Sequence, residues 1–263
     1  MPEISSMLSS PVVSIITTTY NSEKTIRDTL ASVAAQDYPH IEHIIVDGLS
    51  KDNTLAIARE FPHVTRIISE KDSGIYDAMN KGIIAATGEI IGCLNSDDFY
   101  ESATVITKVV AQMMADKSNA LYGDLVYVRP DRTTKITRTW IAGKFKPGKF
   151  LFGWMPPHPT FFVRRGVYQQ FGLFNTTLRS AADYELMLRF LYKARVSVSY
   201  LPQILVRMRA GGMSNASFRN RINANREDRQ AWRVNELHPY FYTTLLKPLR
   251  KLIQYVRKPK RIA

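Results

Sequence analysis

The sequence predicts an α/β chain built on a doubly wound, mostly parallel sheet with helices on both faces, followed by a helical C-terminal extension. Two observations predict the sheet: short β-branched runs alternate with amphipathic helical patterns through the first hundred residues, and polar residues collect where those runs end. A third predicts the extension. Of the formal net charge of +13, residues 1–203 supply 22 basic against 20 acidic side chains and residues 204–263 supply 14 against 3.

Four runs read as strands, namely Val12–Thr19, Ile41–Asp47, Val64–Ser69 and Glu89–Leu94, each followed by a polar turn. Between them, Ser22–Ala35 sets Ile26, Leu30, Val33 and Ala34 on one helical face. Asp52–Phe61 carries Leu55, Ala56 and Ile57, and Ile75–Ala86 carries Ala78, Met79 and Ile83. From Ala103 the pattern gives a helix at Val105–Met114 and a strand pair at Ala120–Val128 and Thr134–Trp140, turning through Arg129, Pro130 and Asp131. A loop-rich stretch follows, then a strand at Thr160–Arg164, a helix at Asp183–Lys193 and strands near Val196–Tyr200 and Ile204–Met208. Two basic helices, Asn215–Glu236 and Leu245–Lys258, close the chain, with Pro248 acceptable only in a first turn.

Composition excludes several classes. With 45% hydrophobic residues, 13 Gly and 13 Pro, the chain is neither disordered nor collagen-like, and one cysteine, Cys93, precludes an intrachain disulfide. The first residues lack a signal-peptide pattern and no apolar run reaches the ~20 residues of a membrane span, so a cytoplasmic protein is expected. The basic tail suits a polyanionic surface. A nucleic-acid module would carry its charge through the folded domain as well, and the near-neutral first 203 residues argue against nucleic acid as a partner.

In doubly wound sheets ligands bind beyond the carboxyl ends of the strands, where Tyr20, Asn21, Asp47 and Asn95–Asp98 fall. Asp97 and Asp98 follow the run Glu89–Leu94; adjacent carboxylates there suit a hard divalent ion, Mg2+ or Mn2+, shared with a diphosphate, or else an acidic helix cap. Asp47 reads as a hydrogen-bond acceptor for a base or ribose, or as turn chemistry. Thr17 to Asn21 offer hydroxyls, a ring and an amide. In DSGIYDAMNKG, Asp77, Asn80 and Lys81 form the polar side of an amphipathic helix, with Lys81 a phosphate candidate. Arg207, Arg209, Gly211, Gly212 and Ser214 read as a cationic loop able to close over a diphosphate.

Taken in order, SIITTTYN, IIVDGLSKDNT and EKDSGIYDAMNKGIIAATGEIIGCLNSDD resemble the nucleotide-sugar half of glycosyltransferase family 2, the inverting enzymes of GT-A fold, with the likeness covering about residues 12–210. The resemblance implies a GT-A domain over 1–210, its nucleotide-sugar half at about 12–100 and its acceptor half at about 101–210, with 211–263 as the basic extension. It implies a nucleotide-sugar donor, a UDP-sugar favoured, held by Thr18, Tyr20, Asp47, Asp72, Lys81 and Asp97, and a metal at Asp98 and Asp97, with Asp98 the direct ligand. Asn95 stands where a strict D-x-D motif begins. Asp183, in RSAADYELMLRF, falls where the family supplies its general base, although Ala182 replaces the usual preceding Glu; a helix-start Asp is otherwise a cap. His158 lies on the acceptor side. A sugar or lipid-linked acceptor is implied, and residues 245–258, read as a basic amphipathic helix, suggest attachment to the inner face of a membrane or docking on the protein itself. A nucleotidyltransferase is the competing enzyme reading, but TTTYNSEKT lacks the glycines of a phosphate loop.

Overall fold

The run VSIITTT becomes the hub of the sheet because β-branched side chains suit a strand buried on both faces, and every residue of β1 (Val13–Thr19) is buried. The computed structural model describes residues 10–211 and 218–256. β1 pairs in parallel with β2 (Ile41–Asp47) on one side and β4 (Ile90–Cys93) on the other, and β2 pairs in parallel with β3 (Val64–Ser69). The crossovers are α1 (Ile26–Ala34), α2 (Thr54–Arg59) and α3 (Ile75–Ala85).

Beyond β4 the direction changes. The remaining strands are β5 (Phe99–Tyr100), β6 (Ala120–Arg129), β7 (Arg132–Trp140), β8 (Phe162–Arg164) and β9 (Val198–Arg209). The sheet runs β3-β2-β1-β4-β8-β6-β9-β5, with β7 paired to β6. β8 is antiparallel to both β4 and β6, whereas β6 and β9 are parallel. α4 (Val105–Ala115) covers one face; α3, α5 (Arg165–Phe171) and α6 (Ala182–Met187) cover the other. The two-residue period of the strands divides these layers. Val13 and Ile15 face α4, while Ile16, Ile44 and Val46 face α3, each such buried side chain contributing about 1.5–3 kcal/mol.

Three expectations are corrected. The strands read at Val196–Tyr200 and Ile204–Met208 are one strand, β9, continuing through Pro202. Its pairing with β6 slips between Tyr122 and Asp124, a bulge that absorbs the proline opposite Gly123, where an added Cβ would lie 2.5 Å from Leu205 Cγ. The helix read at Asp183–Lys193 is α-helical only to Met187 and widens to a π-turn over Leu188–Lys193.

The third concerns the tail, where α7 (Phe218–Val234) is followed by α8 (Thr243–Val256). Pro248 is the sixth residue of α8, past the first turn. The Thr244 carbonyl that loses its donor to Pro248 accepts instead from Asn225 Nδ2 at 2.9 Å, so α7 repairs the bond the proline removes. Gly212 and Ser214, and the cations Arg257 and Lys258, lie outside the described residues. Among the described residues no helix is long and apolar enough to cross a membrane.

A histidine pair joins β2 to the turn before β3. His43, fully buried on β2, has Nε2 3.0 Å from Thr17 Oγ1 and Nδ1 3.0 Å from His63 Nε2. Burial first, and then the neighbouring His63, lower its pKa to about 3. The unfolded chain therefore binds this proton below about pH 6.5 while the folded chain does not. Stability from His43 is full above that pH and drains as pH falls toward 3, at about 1.4 kcal/mol per unit. Urea denaturation between pH 7.5 and 4.5 is expected to show this loss, and His43→Gln to flatten it; an unchanged slope in the variant would place the acid sensitivity elsewhere.

Candidate active site

The carboxyl ends of β1, β2 and β4 open on the same edge, and their loops are laced together. Ser96 N donates to Thr18 O at 3.3 Å, the Ser22 and Ser96 hydroxyls are 2.9 Å apart, and Thr18 Oγ1 donates to Asn95 Oδ1 at 3.4 Å. Tyr20 projects here with 60% of its surface exposed, an accessible ring face at the mouth of the cleft. Gly48 lies between Tyr20 and Asp72. A Cβ at Gly48 would stand 2.5 Å from Asp72 Oδ2 and 3.5 Å from the Tyr20 ring, so only glycine leaves the two side chains facing one gap.

The donor candidates divide by how fully they are already engaged. Asp47 is buried and its carboxylate accepts from the Ser50 amide, from Ser50 Oγ at 2.5 Å and from Ser69 Oγ at 2.7 Å, so it shapes the turn after β2. Asp72 accepts from Gly74 N at 2.9 Å. Lys81 is held by Glu70 at 2.9 Å and by the Lys71 carbonyl at 2.6 Å, and a phosphate would have to displace both. Asp77 caps Ser73 N and Asn80 brackets the Phe174 backbone, structural roles that match the amphipathic reading of α3. Arg207 and Arg209 sit on β9 rather than in a loop. Arg207 pairs with Glu101, and Arg209 holds Asp28 and donates to the Asp97 carbonyl at 2.7 Å. That corrects the expectation of a closing cationic loop at these two positions.

Asp97 and Asp98 cap no helix, since β5 follows them directly. Asp98 is fully buried, and neither of its carboxylate oxygens has a hydrogen-bond partner among the described residues. Burial first, and then the charge of Asp97, raise its pKa well above the usual carboxylate range; burial also raises that of Asp97. Of the two, Asp97 is the partly exposed one. Two adjacent desolvated carboxylates, one of them without a hydrogen-bond partner among the described residues, call for a counter-charge, and oxygen donors of this kind fit a hard divalent cation that takes its remaining ligands from phosphate and water.

Asp183 lies across the cleft in the first turn of α6, where no side chain caps the helix. One carboxylate oxygen accepts from Tyr76 Oη at 3.1 Å and the other lies 3.3 Å from His158 Nδ1. His158 opens a short 3-10 turn, His158–Thr160, just before β8, and feels the charges of both Asp183 and Asp97. Burial outweighs those charges and lowers its pKa, so its ring is neutral near pH 7. Burial and then Asp183 raise the Tyr76 pKa far above its ordinary value, which keeps the hydroxyl a donor. Tyr76 is the residue that sequence reading missed; it occupies the helix face turned toward α6, and its ring stacks on Phe174 at 5.5 Å.

Residues 14–177 match the sequence profile of Glycosyl transferase family 2. The chain belongs to glycosyltransferase family 2. This family 2 chain is 32% identical over 214 residues to a PGL/p-HBAD biosynthesis glycosyltransferase of Mycobacterium bovis, an alignment covering 79% of this chain and 81% of the relative. It is 33% identical over 186 residues to an uncharacterised glycosyltransferase, Rv1514c, of Mycobacterium tuberculosis, covering 70% of each. Among solved structures, TarS of S. aureus in complex with UDP-GlcNAc shares the fold with a TM-score of 0.66 at 20% identity, covering 85% of this chain and 65% of that one. The mannosyltransferase PcManGT of Pyrobaculum calidifontis, in complex with GDP-Man and Mn2+, gives 0.64 at 16% identity, covering 96% and 77%. The curled, mostly parallel sheet is thus that of the GT-A glycosyltransferases, and the protein is a transferase.

The family 2 core is joined to its tail at the helix that carries Asp183. Trp232 Nε1 of α7, fully buried, donates to Tyr184 Oη at 2.9 Å, and Lys247 Nζ of α8 lies 3.9 Å above the Tyr184 ring and 2.5 Å from Asp228. Asn235 donates to Glu185 at 3.0 Å, and Ser180 donates twice to Glu227. Residues on both sides of Asp183 are therefore fixed from the extension. Trp232→Phe removes the indole N–H and part of the buried ring and takes this donor from the Tyr184 hydroxyl, and is expected to cost at least about 1–3 kcal/mol in denaturant unfolding. A loss below about half a kcal/mol would show that this bond does not clamp α6.

Proposed function

We propose that this transferase is an inverting enzyme that moves a sugar from a nucleoside-diphosphate sugar, with a UDP-sugar favoured, to a hydroxyl of a lipid-linked or polysaccharide precursor at the cytoplasmic face of a membrane. The observation that carries the reading is Asp183. Its carboxylate is spared from capping α6 and held between Tyr76 and His158, and His158 in turn feels the charge of Asp97. The relatives named for PGL/p-HBAD biosynthesis, and neighbours bound to UDP-GlcNAc or to GDP-Man, support the class of donor and an envelope-type acceptor.

In this reading the acceptor hydroxyl attacks the anomeric carbon from the face opposite the diphosphate. The bond from that carbon to the phosphate oxygen breaks as the new one forms, its electron pair leaves with the diphosphate, and the acceptor proton passes to Asp183. Tyr76 fixes the carboxylate by donating to one oxygen, which leaves the side near His158 to take the proton. A divalent cation held by Asp98 and Asp97, Mg2+ or Mn2+, would stabilise the charge on the departing diphosphate when bound. The ligand role is proposed for the pair, because Asp97 is the partly exposed carboxylate and Asp98 the one without a hydrogen-bond partner among the described residues. Tyr20 and Asp72, facing each other across Gly48, are positioned to stack on and hydrogen-bond the nucleoside, with Thr18 at the end of β1 beside them.

Thermal stability against UDP-, GDP-, CMP- and dTDP-sugars, each with and without Mn2+, tests the donor site. One nucleotide is expected to stabilise the protein by about 2–3 kcal/mol at a hundredfold excess over its dissociation constant, in a metal-dependent way that Asp97→Asn abolishes. Asp183→Asn is expected to keep that shift and to lose transfer by about 10²- to 10⁴-fold. Normal transfer by Asp183→Asn would overturn the assignment of the base.

A further inference from the structure

Several large apolar side chains are left exposed where α8 and the segment before it meet Phe152. Phe152 is 47% exposed, Tyr240 51%, Phe241 85%, Leu245 51% and Leu249 55%. Tyr242 ties them together, with its ring 6.3 Å from Phe152 and 5.2 Å from both Tyr240 and Phe241. Leu245 and Leu249 stand one turn apart on α8. That helix docks through other residues: Thr243 Oγ1 donates to Leu151 O at 2.7 Å, Lys247 pairs with Asp228, and the Lys247 backbone closes on Gly153, where a Cβ would sit 2.5 Å from its nitrogen. Part of the apolar stripe of α8 is thus not spent on packing.

Cations border this patch. Arg250 Nε donates to the Phe152 carbonyl at 2.9 Å, which fixes a guanidinium beside the exposed ring. Burial, and then the charges of Arg250 and Lys146, lower the pKa of Lys149. Among the described residues none of Lys144, Lys146 and Lys149 has a carboxylate partner; the first two precede, and Lys149 lies within, the short 3-10 helix Pro147–Phe152. Four of the last seven residues of the sequence are also Lys or Arg. Three lysines gathered without a carboxylate partner among the described residues match a surface of anionic groups, and exposed phenyl and leucyl side chains beside them match a hydrocarbon boundary rather than a nucleic acid.

We propose that Phe152, Phe241, Leu245 and Leu249, with Lys146, Lys149 and Arg250, form one surface on which the protein lies against an anionic phospholipid bilayer. The aromatic and leucyl side chains enter the boundary between headgroups and acyl chains, and the cations meet lipid phosphates. The surface is composite, made by a loop of the catalytic domain and by α8 together. This deepens the membrane side of the proposed function, but its test reads binding and not transfer.

Flotation of the full chain with vesicles of phosphatidylcholine alone, and of phosphatidylcholine with one third phosphatidylglycerol, decides it. Binding to the anionic vesicles is expected to exceed binding to the neutral ones by about tenfold and to weaken with salt. Phe241→Ser with Leu249→Ser is expected to lower binding by about tenfold, and Lys146→Gln with Lys149→Gln to remove the anionic preference. Unchanged circular dichroism would show that the variants fold. Absence of anionic preference in the native chain, or variants that bind as it does, would overturn the proposal. So would a dimer in sedimentation that Leu249→Ser breaks, since a second copy would then cover the face. A chain that binds vesicles but shows no nucleotide-dependent thermal shift would instead fault the donor reading and leave this one standing.

Discussion

The reversal of strand direction at β4 is the constraint on which the site depends. β1 runs parallel to β4 and brings Thr18 and Tyr20 to the end where Asp97 and Asp98 emerge. β8 runs antiparallel, with Phe162 opposite Gly92, so it is the beginning of β8 that arrives at that same end. The turn preceding β8 carries His158. A parallel neighbour would have delivered its carboxyl terminus there and left His158 at the opposite edge. The pairing needs a glycine on β4, because a Cβ at Gly92 would lie 2.5 Å from the Phe162 ring. One reversal therefore brings the ends of the parallel strands β1 and β4, with Asp97 and Asp98, together with the turn that carries His158.

Electrostatics then separates the acidic groups by the company they keep. Asp47 and Asp183 both have partners, the first fully engaged by serines and the second held by one tyrosine and approached by one histidine. Asp98 has no hydrogen-bond partner among the described residues, and desolvation of that carboxylate beside Asp97 is a demand for positive charge in the cleft. Arg209 meets it only in part: its charge favours the Asp98 carboxylate, but its guanidinium holds Asp28 and the backbone of Asp97, and burial still raises the pKa of Asp98.

Much of this was legible in the sequence, for identifiable reasons. Strands β1 to β4 and helices α1 to α4 were readable because each has its own hydrophobic period and its own polar turn. Asp47, Asp97 and Asp98 were readable because they follow apolar runs, whereas Asp72 and Asp183 were reached through the family resemblance. β9 was not, since Pro202 and Gln203 interrupt the pattern and the bulge that tolerates them exists only opposite Gly123. Nor was Tyr76. Within α3 it counts as one more large side chain on an amphipathic helix, and its hydroxyl acquires meaning only when α6, 107 residues later, sets Asp183 against it. The clamp of Trp232 and Lys247 on Tyr184 was hidden for the same reason, as long-range pairs leave no periodic trace.

The repair of α8 by Asn225 bears on what kind of object the extension is. A helix interrupted by proline in its second turn carries a carbonyl that a neighbouring helix must satisfy, and the amide that does so belongs to α7. Cut away and attached to another protein, α8 would lose that amide along with the docking of Thr243 and Lys247, and the same sequence would be a poorer helix. Its basic, apolar character is not a portable tag. The segment holds its shape as a fixed edge of this enzyme, so whatever it rests on also sets the orientation of the cleft.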